Sequence, residues 1–113
     1  MNWNLLQKVD QLDDLLTESS ERKILIFKHS TRCSISNTML ARLERNWKDA
    51  EVNDLKPYFL DLLAYRPLSN AIAEAFNVEH QSPQVLIISK GRAIYDRSHF
   101  DIDFEQIRTA AKN

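Results

Sequence analysis

One residue in 113 is cysteine, one is glycine and three are proline. The lone thiol, Cys33, has no partner for an internal disulfide, so nothing covalent staples the chain and its fold must stand on a hydrophobic core. A hydrophobic content of 43% over this length is enough for one domain, expected to span residues 1–113. The missing disulfides also fit a reducing compartment. No apolar run approaches membrane-spanning length, and Met1 to Asp10 is broken up by polar residues, unlike a secretory signal. The expected location is therefore cytoplasmic. Neither sign of charge dominates: 15 basic and 16 acidic side chains leave a net charge of -1. They are interspersed, so neither nucleic acid nor a membrane surface finds a basic patch to hold.

What the chain does contain is hydrophobic patterning of two periods. Leu5, Val9, Leu12 and Leu16 fall on one stripe with Leu6 and Leu15 beside it, predicting an amphipathic N-terminal helix that ends between Thr17 and Ser20. Between Lys23 and Lys28 lies an unbroken apolar run, short and β-branched, which reads as an interior strand covered on both faces. From Ser34, Ile35, Met39, Leu43 and Trp47 recur every four residues with Leu40 alongside, predicting a second helix that starts at the cysteine. Lys56 to Leu62 is a strand whose Pro57 cannot donate to a ladder, which places it at a sheet edge or starts it late. Pro67 suits the first position of a third helix, with Leu68, Ile72, Ala75 and Phe76 inward and Asn77 near its end. Gln84 to Ser89 is another interior strand. Lys90-Gly91 is a tight turn wanting positive φ, Ala93 to Arg97 is the return strand, and a last helix spans about Asp103 to Ala111.

A β-α-β unit crosses over right-handed to give parallel strands, while a short glycine turn gives an antiparallel pair. Joining the two predicts an α/β thioredoxin-like fold: a four-stranded mixed sheet flanked by helices, with an N-terminal helix. The Pro57 strand forms one edge and the Ile94 strand the other.

Cys33 falls where the first interior strand gives way to a helix, in Phe27-Lys28-His29-Ser30-Thr31-Arg32-Cys33-Ser34-Ile35-Ser36, and Ser36 stands where a dithiol site would carry its second cysteine. Thiol exchange proceeds through the thiolate, and the unpaired N–H groups and positive dipole end of a helix start favour an anion there, as does a neighbouring cation. For any thiol, a lower pKa raises the thiolate fraction and lowers nucleophilicity by nearly the same factor, so the gain falls on the step in which that sulfur leaves. Ser36 is placed to donate a hydrogen bond to the thiolate from one turn on, or to satisfy a first-turn N–H. It cannot resolve a mixed disulfide. His29 reads as a solvated or structural strand-end residue, with tuning of the thiol from the strand end as the alternative, and Asp61 and Arg66 read as structural partners.

The run from Lys28 to Ser36 resembles the monothiol bacilliredoxin family, the YtxJ type of thioredoxin-like proteins, whose motif reads T-C-P-I-S. Leu60-Asp61-Leu62 leading to Tyr65-Arg66, Leu68-Ser69-Asn70 and Ser82-Pro83-Gln84-Val85 are similar to its later segments, so the resemblance spans roughly residues 4 to 111. Arg32 stands where the family usually has threonine, adding a positive charge. Ser34 stands where it usually has proline, removing a rigid element from the helix start. The resemblance implies a monothiol thiol-disulfide oxidoreductase with Cys33 and Ser36 catalytic and with Arg32, Ser34, Ser82 and Pro83 at the substrate. The fold implies a cis proline at Pro83 facing the thiol, with Ser82 offering its backbone to an extended ligand. No tightly bound cofactor and no metal are implied. The co-substrate is a low-molecular-weight thiol, bacillithiol by resemblance, with glutathione and coenzyme A open on the residues alone. The partners are S-thiolated client proteins and an external thiol or reductase.

Other chemistries fit less well. A C-x5-R phosphatase or arsenate-reductase loop needs arginine where Met39 stands. A zinc site would have to gather Cys33, His29, His80 and His99 without any paired ligand spacing. A thiol peroxidase using Cys33, and a non-catalytic interaction module using the Ser82-Pro83 surface, are the alternatives to exchange.

Overall fold

In the computed structural model, which describes residues 1–112, the chain runs β1 (Asn4–Leu5), α1 (Gln11–Ser19), β2 (Ile24–His29), α2 (Ser34–Asn46), β3 (Lys56–Asp61), α3 (Arg66–Phe76), β4 (Gln84–Ser89), β5 (Arg92–Ser98) and α4 (Phe104–Lys112). Short 3-10 turns occupy Asp49–Glu51 and His99–Asp101. Position 113, the last of the expected domain, lies outside the described residues.

The strands form one mixed sheet in the order β1-β3-β2-β4-β5. β2 is parallel to β3 and antiparallel to β4, and β5 returns antiparallel to β4. Successive side chains of a strand point to opposite faces, so β2 and β4 feed two cores at once. On one face Leu25, Phe27, Val85 and Ile87 pack with Met39 and Leu43 of α2 and Ile107 of α4. On the other, Ile24, Ile26, Leu86 and Ile88 pack with Leu15 of α1 and with Leu68, Ile72 and Phe76 of α3. Burial on both faces is why the central strands show no polar alternation. The α/β thioredoxin-like arrangement is thus present, with a fifth strand in place of the expected four.

That fifth strand corrects the N-terminal reading. The helix does not begin near Leu5: Asn4 and Leu5 pair parallel with Tyr58 and Phe59, and α1 starts only at Gln11. Leu5 and Val9 are 55% and 50% exposed, while Leu6 and Leu15 are buried. Gln11 makes the break, its side-chain oxygen accepting from the N–H groups of Gln7 at 2.6 Å and Lys8 at 2.8 Å while its amide donates to the Leu5 carbonyl. Trp3 completes the segment, its ring meeting Phe27 and Phe59 edge-on at centroid distances of 5.9 and 5.8 Å.

The Pro57 strand is consequently not an edge. Lys56 N–H donates to the Lys23 carbonyl on the β2 side, whereas Leu6 N–H donates to the Phe59 carbonyl on the β1 side. Pro57 shares the orientation of Phe59, and β1 pairs only from Tyr58 onward, so its missing N–H interrupts no ladder bond. In α3, buried Ser69 takes the inward place expected of Ala75, which is exposed, and Asn77 ends the helix in the left-handed region at φ 53°. At the β4–β5 turn, Lys90 and Gly91 both have positive φ, as a two-residue hairpin requires, and donate to Ser19 through O and Oγ.

Because both faces remain covered to its end, β2 also buries two polar residues. Lys28 is fully inaccessible: Nζ donates to the Ser69 carbonyl at 3.1 Å and lies 3.5 Å from His80 Nδ1, with no carboxylate partner among the described residues. Burial pushes its pKa down to about 8. Between about 8 and the ordinary 10.5 the unfolded chain holds a proton that the folded chain has lost, so folding becomes more favourable as pH rises through that window. Below it, the buried charge costs the fold about 3 kcal/mol. Lys28→Met should therefore raise stability at pH 7 by an amount on the order of 1–3 kcal/mol, and the gain should shrink toward pH 10. Urea unfolding of both proteins at the two pH values measures it; a loss of stability at pH 7 would count against an uncompensated buried cation.

Candidate active site

The strand pairings bring four chain segments to one end of the sheet. His29 is opposite Asp61 at the ends of β2 and β3, and Gln84, the first residue of β4, is opposite both Lys28 and Ser98. The connecting segments at this end are 30–33, 62–65, 81–83 and the His99–Asp101 turn. Backbone bonds tie them together: Leu62 N–H donates to the His29 carbonyl, and His99 N–H donates to the Pro83 carbonyl, each at 3.0 Å.

Cys33 is the N-cap of α2, with extended backbone at φ -103° and ψ 117° and a half-buried free thiol. Its N–H donates to the Ser30 carbonyl at 3.2 Å and its carbonyl receives the first helical bond, from Asn37 N–H at 3.1 Å. Among the described residues no side chain caps this helix start. Among the described residues the N–H groups of Ser34, Ile35 and Ser36 have no backbone acceptor, so the first turn of the helix that Cys33 caps keeps the unpaired donors that favour an anion. Arg32 and Ser34 flank the thiol and are exposed. The Ser82–Pro83 peptide is cis. Pro83 is buried and Ser82 is half-buried, with a buried Oγ that has no hydrogen-bond partner among the described residues.

Ser36 is placed differently from the sequence expectation. It is completely buried, and its hydroxyl meets His29 Nδ1 at 2.7 Å and accepts from Ser30 N–H at 3.0 Å, rather than bonding the Cys33 sulfur. His29 is likewise not solvated: it is 4% exposed, with its ring 5.4 Å from Phe59 and 6.2 Å from Phe27. Burial lowers its pKa below the usual value, partly offset by the charges of Asp61 and Glu44. His80 is lowered too, by burial and then by Lys28 and Arg66. Asp61 accepts from the N–H groups of Leu63 and Ala64 and so shapes the neighbouring loop. Sequence reasoning did not single out Lys28, it weighed His29 as a solvated or structural residue or one that tunes the thiol without seeing its bond to Ser36, and it did not single out Phe100, which is 66% exposed on the turn tied to Pro83. The signal for the first two was available: a strand covered on both faces must also cover the polar residues at its end.

A free thiol at a helix start, on the loop between a central strand and its following helix and beside a cis proline loop, defines a thiol oxidoreductase of thioredoxin fold. The chain belongs to the monothiol bacilliredoxin BrxC family, whose model matches residues 4–107. It is similar to a solved thioredoxin-fold protein provisionally described as an oxidoreductase, at 28% identity and TM-score 0.79, covering 94% of this chain and 90% of that one. The thioredoxin of Malassezia sympodialis (12% identity, TM-score 0.75, 98% and 89% covered) and that of Fasciola hepatica (16%, 0.70, 96% of each) share the fold.

The buried histidines carry a pH dependence. Below the ordinary imidazole value of 6.5 the unfolded chain takes up protons that folded His29 and His80 resist, so stability falls as pH drops below about 6.5. Each group contributes a slope of at most about 1.4 kcal/mol per pH unit. In urea titrations at pH 7 and pH 5.5, His29→Asn should lose less stability on acidification than the native chain; an equal loss would contradict a neutral buried His29.

Proposed function

We propose that this protein removes a low-molecular-weight thiol, bacillithiol, from S-thiolated client proteins in the cytoplasm. The observation that carries the reading is the composition of the site: the chain's one cysteine stands half-buried at a helix start with free first-turn N–H donors, and the residue in the resolving position is a serine turned inward. In the first step the Cys33 thiolate attacks the small-thiol sulfur of a client mixed disulfide. A Cys33–bacillithiol disulfide forms, and the client sulfur leaves as thiolate and takes up a proton. In the second step an external thiolate, from a second thiol molecule or a reductase, attacks the bacillithiol sulfur. Cys33 leaves as thiolate and the bacillithiol departs as a disulfide with the attacking thiol, small or reductase-borne, so the electrons come from outside and none are stored in the protein. Arg32, Ser34 and the Ser82–Pro83 loop are the residues this reading sets around the incoming disulfide.

The test incubates the protein separately with a bacillithiolated and a glutathionylated model protein and reads adduct masses. The expected result is transfer of one bacillithiol to the native chain, transfer slower by at least about tenfold from the glutathionylated protein, and none to Cys33→Ser. Equal transfer of both thiols would overturn the choice of bacillithiol. No adduct with either, while Cys33→Ser still binds the client, would make the protein an interaction module; turnover of peroxide in place of transfer would make it a thiol peroxidase.

A further inference from the structure

We propose that His29 is a positioning residue for Cys33, acting through the Ser36 hydroxyl. A serine hydroxyl has one proton to donate and lone pairs to accept with. At Ser36 the oxygen accepts from Ser30 N–H at 3.0 Å, and the remaining contact, 2.7 Å to His29 Nδ1, is short enough for a full hydrogen bond. If Nδ1 carried a proton, both contacts would be accepted by the oxygen, and the serine proton would be left in a fully buried site with no partner among the described residues. The arrangement that satisfies both the Ser36 hydroxyl and His29 Nδ1 puts the imidazole proton on Nε2 and donates the serine proton to Nδ1. Burial of His29 favours the same neutral form.

Two consequences reach the sulfur. Ser30, held at its N–H by Ser36, accepts Cys33 N–H at its carbonyl, so the chain His29–Ser36–Ser30–Cys33 sets the backbone turn that presents the thiol. The Ser36 proton is also committed away from the sulfur, which leaves a thiolate to the backbone donors of the first helical turn. His29 touches no reacting atom in this account; it fixes the group that fixes the loop.

The role rests on reading Cys33 as the exchanging thiol, but its test needs no physiological disulfide. Alkylation of Cys33 by iodoacetamide, followed by mass from pH 5 to 9, gives a plateau rate and a titration midpoint for the native chain, Ser36→Ala, His29→Phe, the double variant and His29→Asn, each first shown to be folded by thermal unfolding. Asn keeps an acceptor near the place of Nδ1, while Phe keeps the ring shape and removes it. Ser36→Ala and His29→Phe should each slow alkylation at pH 7 by roughly five- to tenfold, the double variant should be no slower than either, and His29→Asn should return to within about twofold of native. Native-like alkylation in His29→Phe, no recovery in His29→Asn, or factors that multiply in the double variant would overturn the role. The expected ratios without any disulfide transfer would keep the positioning and remove the exchange reaction.

Discussion

One buried hydroxyl connects the sheet to the site. The Ser36 oxygen sits between the last residue of β2 and the first residue of the loop that carries the thiol, and each of its two contacts answers a need created by burial. Ser30 N–H has left the strand ladder and is too deep for water, and an unpaired donor there would cost about 1–3 kcal/mol. His29 is an imidazole enclosed by Phe27 and Phe59, and its Nδ1 needs a donor. Bridging both lets a strand buried to its final residue turn at once into a helix whose first turn is open. The half-buried thiol is thus presented by a buried, hydrogen-bonded base rather than by a flexible loop.

The same covering that builds the core sets the character of the site. β2 lies between two helical layers, so Lys28 faces α3 and the loop before Pro83, while His29 faces α2. Lys28 and His80 reach toward one another without a carboxylate between them, and both lose proton affinity through burial. Gln84, also buried, spans the loop from inside, donating to the Glu79 carbonyl. Polar residues at the strand ends thereby hold the loops on either side of this end of the sheet, while Arg32, Ser34 and Phe100 on its loops and turn are exposed.

Much of this was legible from sequence because it depends on local pattern. The interior strands, the helix beginning at Cys33, the positive-φ turn at Lys90-Gly91 and the helix end at Asn77 follow from period, β-branching and turn chemistry that neighbouring residues settle among themselves. The N-terminal segment was misread because Leu5, Leu6, Val9, Leu12, Leu15 and Leu16 satisfy a helical stripe on paper. The break comes from a glutamine side chain and from pairing with β3 more than fifty residues away. Pro57 suggested an edge, but which neighbour a proline nitrogen faces is a matter of register. The inward turn of Ser36 was hidden for a related reason, since three residues after a cysteine its hydroxyl can face the sulfur or the strand, and the partner that decides is His29.

A thiol with no resolving partner has a consequence that separates it from every dithiol site: once loaded, it waits. The most direct measurement is the lifetime of an adduct on Cys33 in the absence of free thiol, followed by intact mass after the loading disulfide has been removed. The account predicts that the adduct mass persists unchanged until a small thiol is added, and that an excess of that thiol then releases it as a small disulfide and restores the free cysteine. Spontaneous loss of the adduct with no thiol present would contradict a one-thiol exchange centre.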